Sequence, residues 1–295
     1  MSGGSVRANG IDVVYTSVGS PDAPLALCLH GFPDTSATWR HLLPKLAAAG
    51  FHAVAPAMRG YAPTEVPTDR RTDPDTLTAD ANALHRAFGG GPGAVLIGHD
   101  WGAIVAARAA AAAPDRWKRL VTLAVPPESV LADARFDRAQ IRRSSYVVRA
   151  LLPGAERSLT RNELAQVRAL WRRWSPGYEM QAEDLDPLLA TFAVPGVATA
   201  ALSYYRGFAA AHADDRALSK RVTLPPQPHL LLHGRDDGCV GVEWAERTVG
   251  ALPHPASHVE VLDGVGHFLH LEDPDGVGGR IVEFVASGRP AMTGR

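Results

Sequence analysis

Cysteine is nearly absent. Only Cys28 and Cys239 occur in 295 residues, too few for a disulfide framework, so both are expected to be reduced and structural. A charge of one sign is absent too. Lys plus Arg (30) nearly balances Asp plus Glu (31), leaving a formal net charge of −1. No overall field then favours nucleic acid, an anionic membrane or a highly charged substrate, and the expected partner is a small apolar or neutral molecule. No run approaches the roughly 18 uninterrupted apolar residues of a membrane helix. The opening residues Met1-Ser2-Gly3-Gly4-Ser5-Val6-Arg7 carry no apolar leader core, which makes a cytoplasmic location the expectation. There is no internal repeat, and no low-complexity tail beyond a short Gly/Pro/Arg end. What is present is 46% hydrophobic and 21% charged, the make-up of a globular chain that holds one elaborated α/β domain or a domain with an insertion.

Strand and helix signals alternate in the first part of the chain. Residues 11–16 and 25–29 read as strands around the turn Gly19-Ser20-Pro21-Asp22. The second strand ends in the sharp loop His30-Gly31-Phe32-Pro33-Asp34. Trp39, Leu42, Leu43 and Leu46 then form one helical face, with Gly50 placed to cap it. A strand over 52–55, the segment Met58-Arg59-Gly60-Tyr61 and a helix over 77–88 follow. After a strand over 120–125, alternation stops at Pro126-Pro127. About a hundred residues then show only helical periodicity, as in 139–151, 161–174 and 197–211. Pro225-Pro226-Gln227-Pro228 closes this stretch. A strand at 229–233, a helix near 242–252, a strand at 258–262 and a helix near 277–286 resume the pattern. The order predicts an α/β fold with a mostly parallel sheet flanked by helices, a core of residues 1–126 and 225–295, and an inserted helical cap over 127–224.

The chemistry centres on Val95-Leu96-Ile97-Gly98-His99-Asp100-Trp101-Gly102-Ala103, where an apolar strand breaks at Gly-x-Asp-x-Gly into an Ala-rich helix that Pro114 ends. This reads as a nucleophile elbow, a tight turn that lifts one side chain above a sheet, with glycines where larger residues would clash. At its apex is Asp100. A carboxylate attacks saturated carbon to give an alkyl ester, which points away from a serine esterase. The ester must then be hydrolysed by a water, a base and a group that orients the base. Gly264-Val265-Gly266-His267 follows the last strand and offers His267 as base. Gly234-Arg235-Asp236-Asp237 follows the strand before it and offers an orienting carboxylate, Asp236 or Asp237. The backbone N–H groups of Phe32 and Trp101 are the expected oxyanion hole for the hydrolytic half-reaction. His30, His99, His233 and His270 read as structural. The spacing of His267 and His270 has no third ligand cluster beside it, so no metal is expected.

His30-Gly31-Phe32-Pro33-Asp34, Arg59-Gly60-Tyr61, Gly98-His99-Asp100-Trp101-Gly102, Asp237 and Gly264-Val265-Gly266-His267 together resemble the epoxide hydrolase branch of the α/β-hydrolases. The likeness spans nearly the whole chain. It implies nucleophile, acid and histidine in the order 100, 237, 267, with Asp237 favoured by the family's Gly-x-x-Asp pattern. It also implies water addition to an epoxide through an Asp100 ester without a cofactor, and two cap tyrosines that protonate the opening oxygen. Ala201-Leu202-Ser203-Tyr204-Tyr205-Arg206 maps one of these onto Tyr205, leaving Tyr204 structural because adjacent helical residues point about 100° apart. In the segment from Arg142 to Gly154 the other family position falls on Arg149, and Tyr146 lies one turn earlier as its stand-in. Two rival readings use the same residues. A haloalkane or haloacid dehalogenase would share the triad and hold halide with Trp101 and with Trp171 or Trp174. A non-catalytic binder of an apolar small molecule would explain Arg149.

Overall fold

The computed structural model describes residues 2–68, 71–211 and 223–287. Its elements in chain order are β1 (Ser2–Ala8), β2 (Ile11–Val18), β3 (Leu25–Leu29), α1 (Leu42–Ala48), β4 (His52–Pro56), α2 (Pro74–Ala87), β5 (Val95–His99), α3 (Trp101–Ala112) and β6 (Arg119–Leu123). Six helices follow: α4 (Glu128–Leu131), α5 (Arg138–Arg143), α6 (Ser145–Leu151), α7 (Ala155–Trp174), α8 (Ala182–Phe192) and α9 (Val197–Ala211). The chain then returns through β7 (His229–Gly234), α10 (Val242–Thr248), β8 (His258–Leu262), α11 (Leu269–Glu272) and α12 (Pro274–Ala286). Residues 212–222 of the expected cap, residue 1 and the Gly/Pro/Arg end from 288 lie outside the described residues.

Eight strands form one sheet in the order β1-β2-β4-β3-β5-β6-β7-β8. The β1–β2 and β2–β4 pairs are antiparallel and every other pair is parallel. Parallel strands are covered on both faces, and here the two faces feed two separate cores. Leu27, Leu29, Leu96 and Leu120 join Ala106 and Ala109 of α3 on one side. Ala26, Cys28, Ile97 and Val121 meet Leu42, Leu46, Val277 and Ile281 of α1 and α12 on the other. The alanines of α3 are what let that helix lie close against β5 and β6: Ala106, Ala109 and Ala110 have no exposed surface. Helix starts follow local chemistry. Asp73 accepts from Thr76 N–H with Pro74 in the first turn of α2, and Asp273 does the same for α12 through Gly276 N–H.

Several sequence expectations need correction. No strand was expected before residue 11, yet Ser2-Gly3-Gly4-Ser5 extends along β2 as an edge strand. Its apolar content is too low to signal a strand, and the pairing comes from β2's free edge. The helix expected over 139–151 is split at Ser144 (φ −80°, ψ 7°), which separates α5 from α6. The helix expected over 161–174 belongs to α7, which starts at Ala155 and carries non-helical backbone from Arg161 to Leu164. Helix α10 stops at Thr248 and not at 252. No single described helix is long and apolar enough to cross a membrane.

Candidate active site

The sheet presents the C-terminal ends of β3, β5, β7 and β8 along one edge, where open α/β sheets gather ligands. At the end of β5 the backbone of Asp100 adopts φ +52°, ψ −119°, a conformation costing about 1–3 kcal/mol for a residue with a side chain. Close packing holds it there. A Cβ on Gly98 would strike the Gly102 carbonyl, and one on Gly102 would strike the Leu29 carbonyl, so strand, helix and the neighbouring strand meet at their glycines. Gly31 is a third such position, because a Cβ there would collide with the Asp100 side chain. That absence of side chain lets the loop after β3 lie over the aspartate, and Phe32 N–H donates to Asp100 Oδ1 at 2.7 Å. Trp101, whose amide was the other expected donor, is the first residue of α3.

Beside Asp100 stands His267, carried by the loop after β8. Its Nε2 lies 3.5 Å from Asp100 Oδ2, and its Nδ1 lies 2.8 Å from Asp237 Oδ2. Asp237 is fully buried and its other oxygen accepts from Cys239 N–H (2.6 Å) and Val240 N–H (2.9 Å). Asp236 is exposed, and of the two adjacent carboxylates it is Asp237 that contacts His267. Burial opposes charge on His267, but the Asp237 and Asp100 carboxylates outweigh it and lift its pKa to about 10. Burial likewise opposes charge on Asp237, and the facing His267 outweighs it, holding that carboxyl below its usual range.

Above these groups lies a cavity of about 440 Å³ lined by Asp100, Trp101, Ile104, Tyr146, Tyr205 and Cys239 among others. The Tyr205 ring sits edge-on to Phe32, Trp101 and Tyr146, at centroid separations of 5.3, 5.1 and 5.7 Å. Among the described residues its buried hydroxyl makes no hydrogen bond of ordinary geometry, with the Trp101 and Tyr146 side chains beside it. Tyr146 places its hydroxyl 3.5 Å from Cys239 Sγ. Burial, reinforced by charge at Asp100, pushes both phenol pKa values well up, so each keeps its proton. Tyr204, by contrast, turns away and donates to the Arg59 carbonyl at 2.8 Å. Arg59 is itself locked by two hydrogen bonds to Asp80, at 2.6 and 2.8 Å, which ties the Arg-Gly-Tyr segment to α2. Arg149 is exposed and lines a second, smaller cavity of about 250 Å³ that shares Tyr146 with the first.

The remaining histidines near the site hold backbone. His30 Nε2 accepts from Met58 N–H, while His99 and His233 bond the carbonyls of His267 and Val240. His270 pairs with Thr38 Oγ1. Sequence reading found no ligand cluster around His267 and His270; the fold gives each of them one. Asp34, His99 and His270 form one group, and Asp100, Cys239 and His267 form the other, with ligating atoms within 4.8 Å of one another in each. Cys239, expected to be structural, lines the same cavity as Asp100. Only its distance from Asp237, two residues on, hinted at this. Trp171 spends its indole N–H on the Pro33 carbonyl at 2.8 Å. Trp174 is buried edge-on against His267, with a centroid separation of 5.1 Å.

Comparison with known proteins agrees with this architecture. Residues 24–274 match the α/β-hydrolase fold family. The chain is 29% identical to epoxide hydrolase A of Mycobacterium tuberculosis across 95% of its own length and 96% of that protein's. It is 31% identical to an epoxide hydrolase of Caballeronia sordidicola, covering 95% and 92% of the two chains. Its fold superposes on the crystal structure of an epoxide hydrolase from Vigna radiata with a TM-score of 0.80 and 28% identity, over 96% of this chain and 97% of that one. With the fold, the elbow and these relatives in agreement, the chain belongs to the α/β-hydrolase family, in its epoxide hydrolase-like branch.

Proposed function

We propose that this chain adds water to epoxides through a covalent ester on Asp100. The observation that carries the reading is the line of groups Asp237, His267, Asp100 beneath the buried Tyr205 hydroxyl in a mostly apolar cavity. In the first half-reaction an Asp100 oxygen attacks a ring carbon, the C–O bond of the epoxide breaks, and the leaving oxygen takes the Tyr205 proton, with Tyr146 as second donor. General acid catalysis of this kind is worth about 10²- to 10⁴-fold. In the second, His267 takes a proton from water and the hydroxide adds to the Asp100 carboxyl carbon. The Phe32 and Trp101 amides stabilise the oxyanion, one donor being worth about 10²- to 10³-fold. The C–O ester bond then breaks, His267 returns its proton to the departing diol, and the proton released as the carboxylate re-forms replaces the one the tyrosine gave.

The raised pKa of His267 fits this order. Esterification removes the Asp100 charge, one of the groups that holds the proton on His267. The imidazole then releases its resting proton to solvent, serves as base at the step that needs one, and takes a proton back when the Asp100 carboxylate re-forms. The helices from α4 to α9 supply the tyrosines and most of the cavity roof, which supports residues 127–224 acting as a cap on a core of 1–126 and 225–295. Dehalogenation draws less support: Trp171 spends its N–H on the Pro33 carbonyl, and Trp174, whose buried N–H has no partner among the described residues, does not line the cavity beside Asp100, whereas an alkoxide leaving group would find two phenols. The test is a single turnover in heavy-oxygen water. The first diol should carry no label and Asp100 should acquire it; a labelled first diol would mean direct attack by water.

A further inference from the structure

We propose that Asp100, His267 and Cys239 form a site for a thiophilic divalent cation of the zinc type, and that its occupation reversibly blocks the nucleophile. The site itself does not depend on the epoxide chemistry; the inhibition rests on Asp100 being the nucleophile.

Three side chains bring one oxygen, one nitrogen and one sulfur within 4.8 Å of one another. Zinc sites with three protein ligands and one open position use this kind of donor set, with bonds of about 2.0 Å to N and O and about 2.3 Å to S. Tetrahedral bonds of that length space the donors about 3.3–3.6 Å apart, and His267 Nε2 already stands 3.5 Å from Asp100 Oδ2. The Nε2 atom is buried and faces the Asp100 carboxylate at 3.5 Å, so a metal bond there replaces the proton between them. Asp100 Oδ1 is engaged by Phe32 N–H, which leaves Oδ2 as the ligating oxygen. The fourth position opens into the cavity, whose wall includes both Asp100 and Cys239.

What surrounds the ligands completes the argument. Metal-binding histidines nearly always give their other ring N–H to a carboxylate, which fixes the tautomer and raises basicity. His267 Nδ1 already makes that bond to Asp237, at 2.8 Å. Asp237 is in turn held by the Cys239 and Val240 amides, so one loop positions both the thiol and the carboxylate behind the imidazole. On binding, the Cys239 S–H bond and the His267 Nε2–H bond both break, the two protons pass to solvent, and the thiolate and imidazole electron pairs form the bonds to the metal; no redox change occurs. The sulfur decides the class of ion, because thiolate favours zinc-like cations over magnesium or calcium.

Cobalt(II) and zinc are the probes. The metal-free chain titrated with cobalt should bind one equivalent and develop a thiolate-to-cobalt charge-transfer band, which zinc should bleach while epoxide turnover falls in step. Cys239→Val should abolish the band and weaken zinc binding by at least about tenfold, and Asp100→Asn should weaken it without removing the band. Circular dichroism of each variant confirms its fold. No charge-transfer band in the wild type, or a band that survives Cys239→Val, would overturn the site. Absence of epoxide turnover with the band intact would instead remove the proposed reaction and leave the metal site standing.

Discussion

Replacing either of two neighbouring tyrosines by phenylalanine should have opposite effects on stability and very different effects on rate. Tyr205 buries a hydroxyl that makes no hydrogen bond of ordinary geometry, a cost of about 1–3 kcal/mol. Tyr205→Phe keeps the ring contacts with Phe32, Trp101 and Tyr146 and removes that cost. At about 2 °C per kcal/mol for a domain of this size, Tm should rise by about 2–6 °C. The same change removes the principal proton donor, so kcat/KM on an epoxide should fall by about 10²- to 10⁴-fold, equivalent to about 3–5 kcal/mol of transition-state stabilisation. Tyr204→Phe loses a bond of 2.8 Å to the Arg59 carbonyl and leaves that buried acceptor short, which should cost about 1–3 kcal/mol in stability. Its rate should change far less, since its hydroxyl faces the Arg-Gly-Tyr segment and not the cavity. Differential scanning calorimetry and initial rates on a common epoxide read both quantities. A Tyr205→Phe variant that is less stable and keeps its rate, or a pair of variants that behave alike, would refute the reasoning. The expected gain in stability with loss of rate is the mark of a group held for function.

Gly31→Ala should fold but lose at least about 10²-fold in kcat/KM, because its Cβ would displace the Asp100 side chain and misplacement on the scale of 1 Å costs that much; wild-type rates would show that the loop can yield. Stability should fall as pH drops from about 6.5 towards 4. Burial lowers His30 to a pKa of about 4 and His229 to about 3, so below 6.5 the unfolded chain takes up protons that the folded one refuses. Each such histidine removes on the order of 1.4 kcal/mol per pH unit. Burial of Asp34 raises its pKa to about 7 and contributes the opposite slope over the same window, so His229→Gln and Asp34→Asn should shift urea midpoints against pH in opposite directions. A flat stability profile between pH 6.5 and 4 would contradict the burial of these histidines.

Much of the core was legible in the sequence because parallel strands announce themselves as short apolar runs ended by glycine. Val95 to His99 and its glycines gave the elbow, and Gly234 and Gly264 flagged the loops that carry Asp237 and His267. The choice of Asp237 over Asp236 was not local. It depends on which carboxylate the turn after β7 buries against an imidazole thirty residues on. The resemblance singled out Tyr205 and helical geometry then turned its neighbour Tyr204 away, whereas the place of Tyr146 depends on the break at Ser144 that sets the direction of α6. That Cys239 lines the cavity was not legible for a similar reason: a cysteine in a loop has no periodicity to reveal which cavity it faces. The edge strand β1 had almost no apolar signal, and a helix such as α8, with Pro187 inside it, escapes a reading based on helix breakers.

The central claim is that Asp100 forms an ester that His267 hydrolyses, and intact-mass spectrometry of the His267→Gln variant tests it most directly. Incubated with a panel of terminal and internal epoxides, the variant should gain the mass of one epoxide, and peptide mapping should place the addition on Asp100. Loss of the adduct in the His267→Gln, Asp100→Asn double variant would complete the assignment. An unmodified protein across the panel, or an adduct on any other residue, would contradict the account.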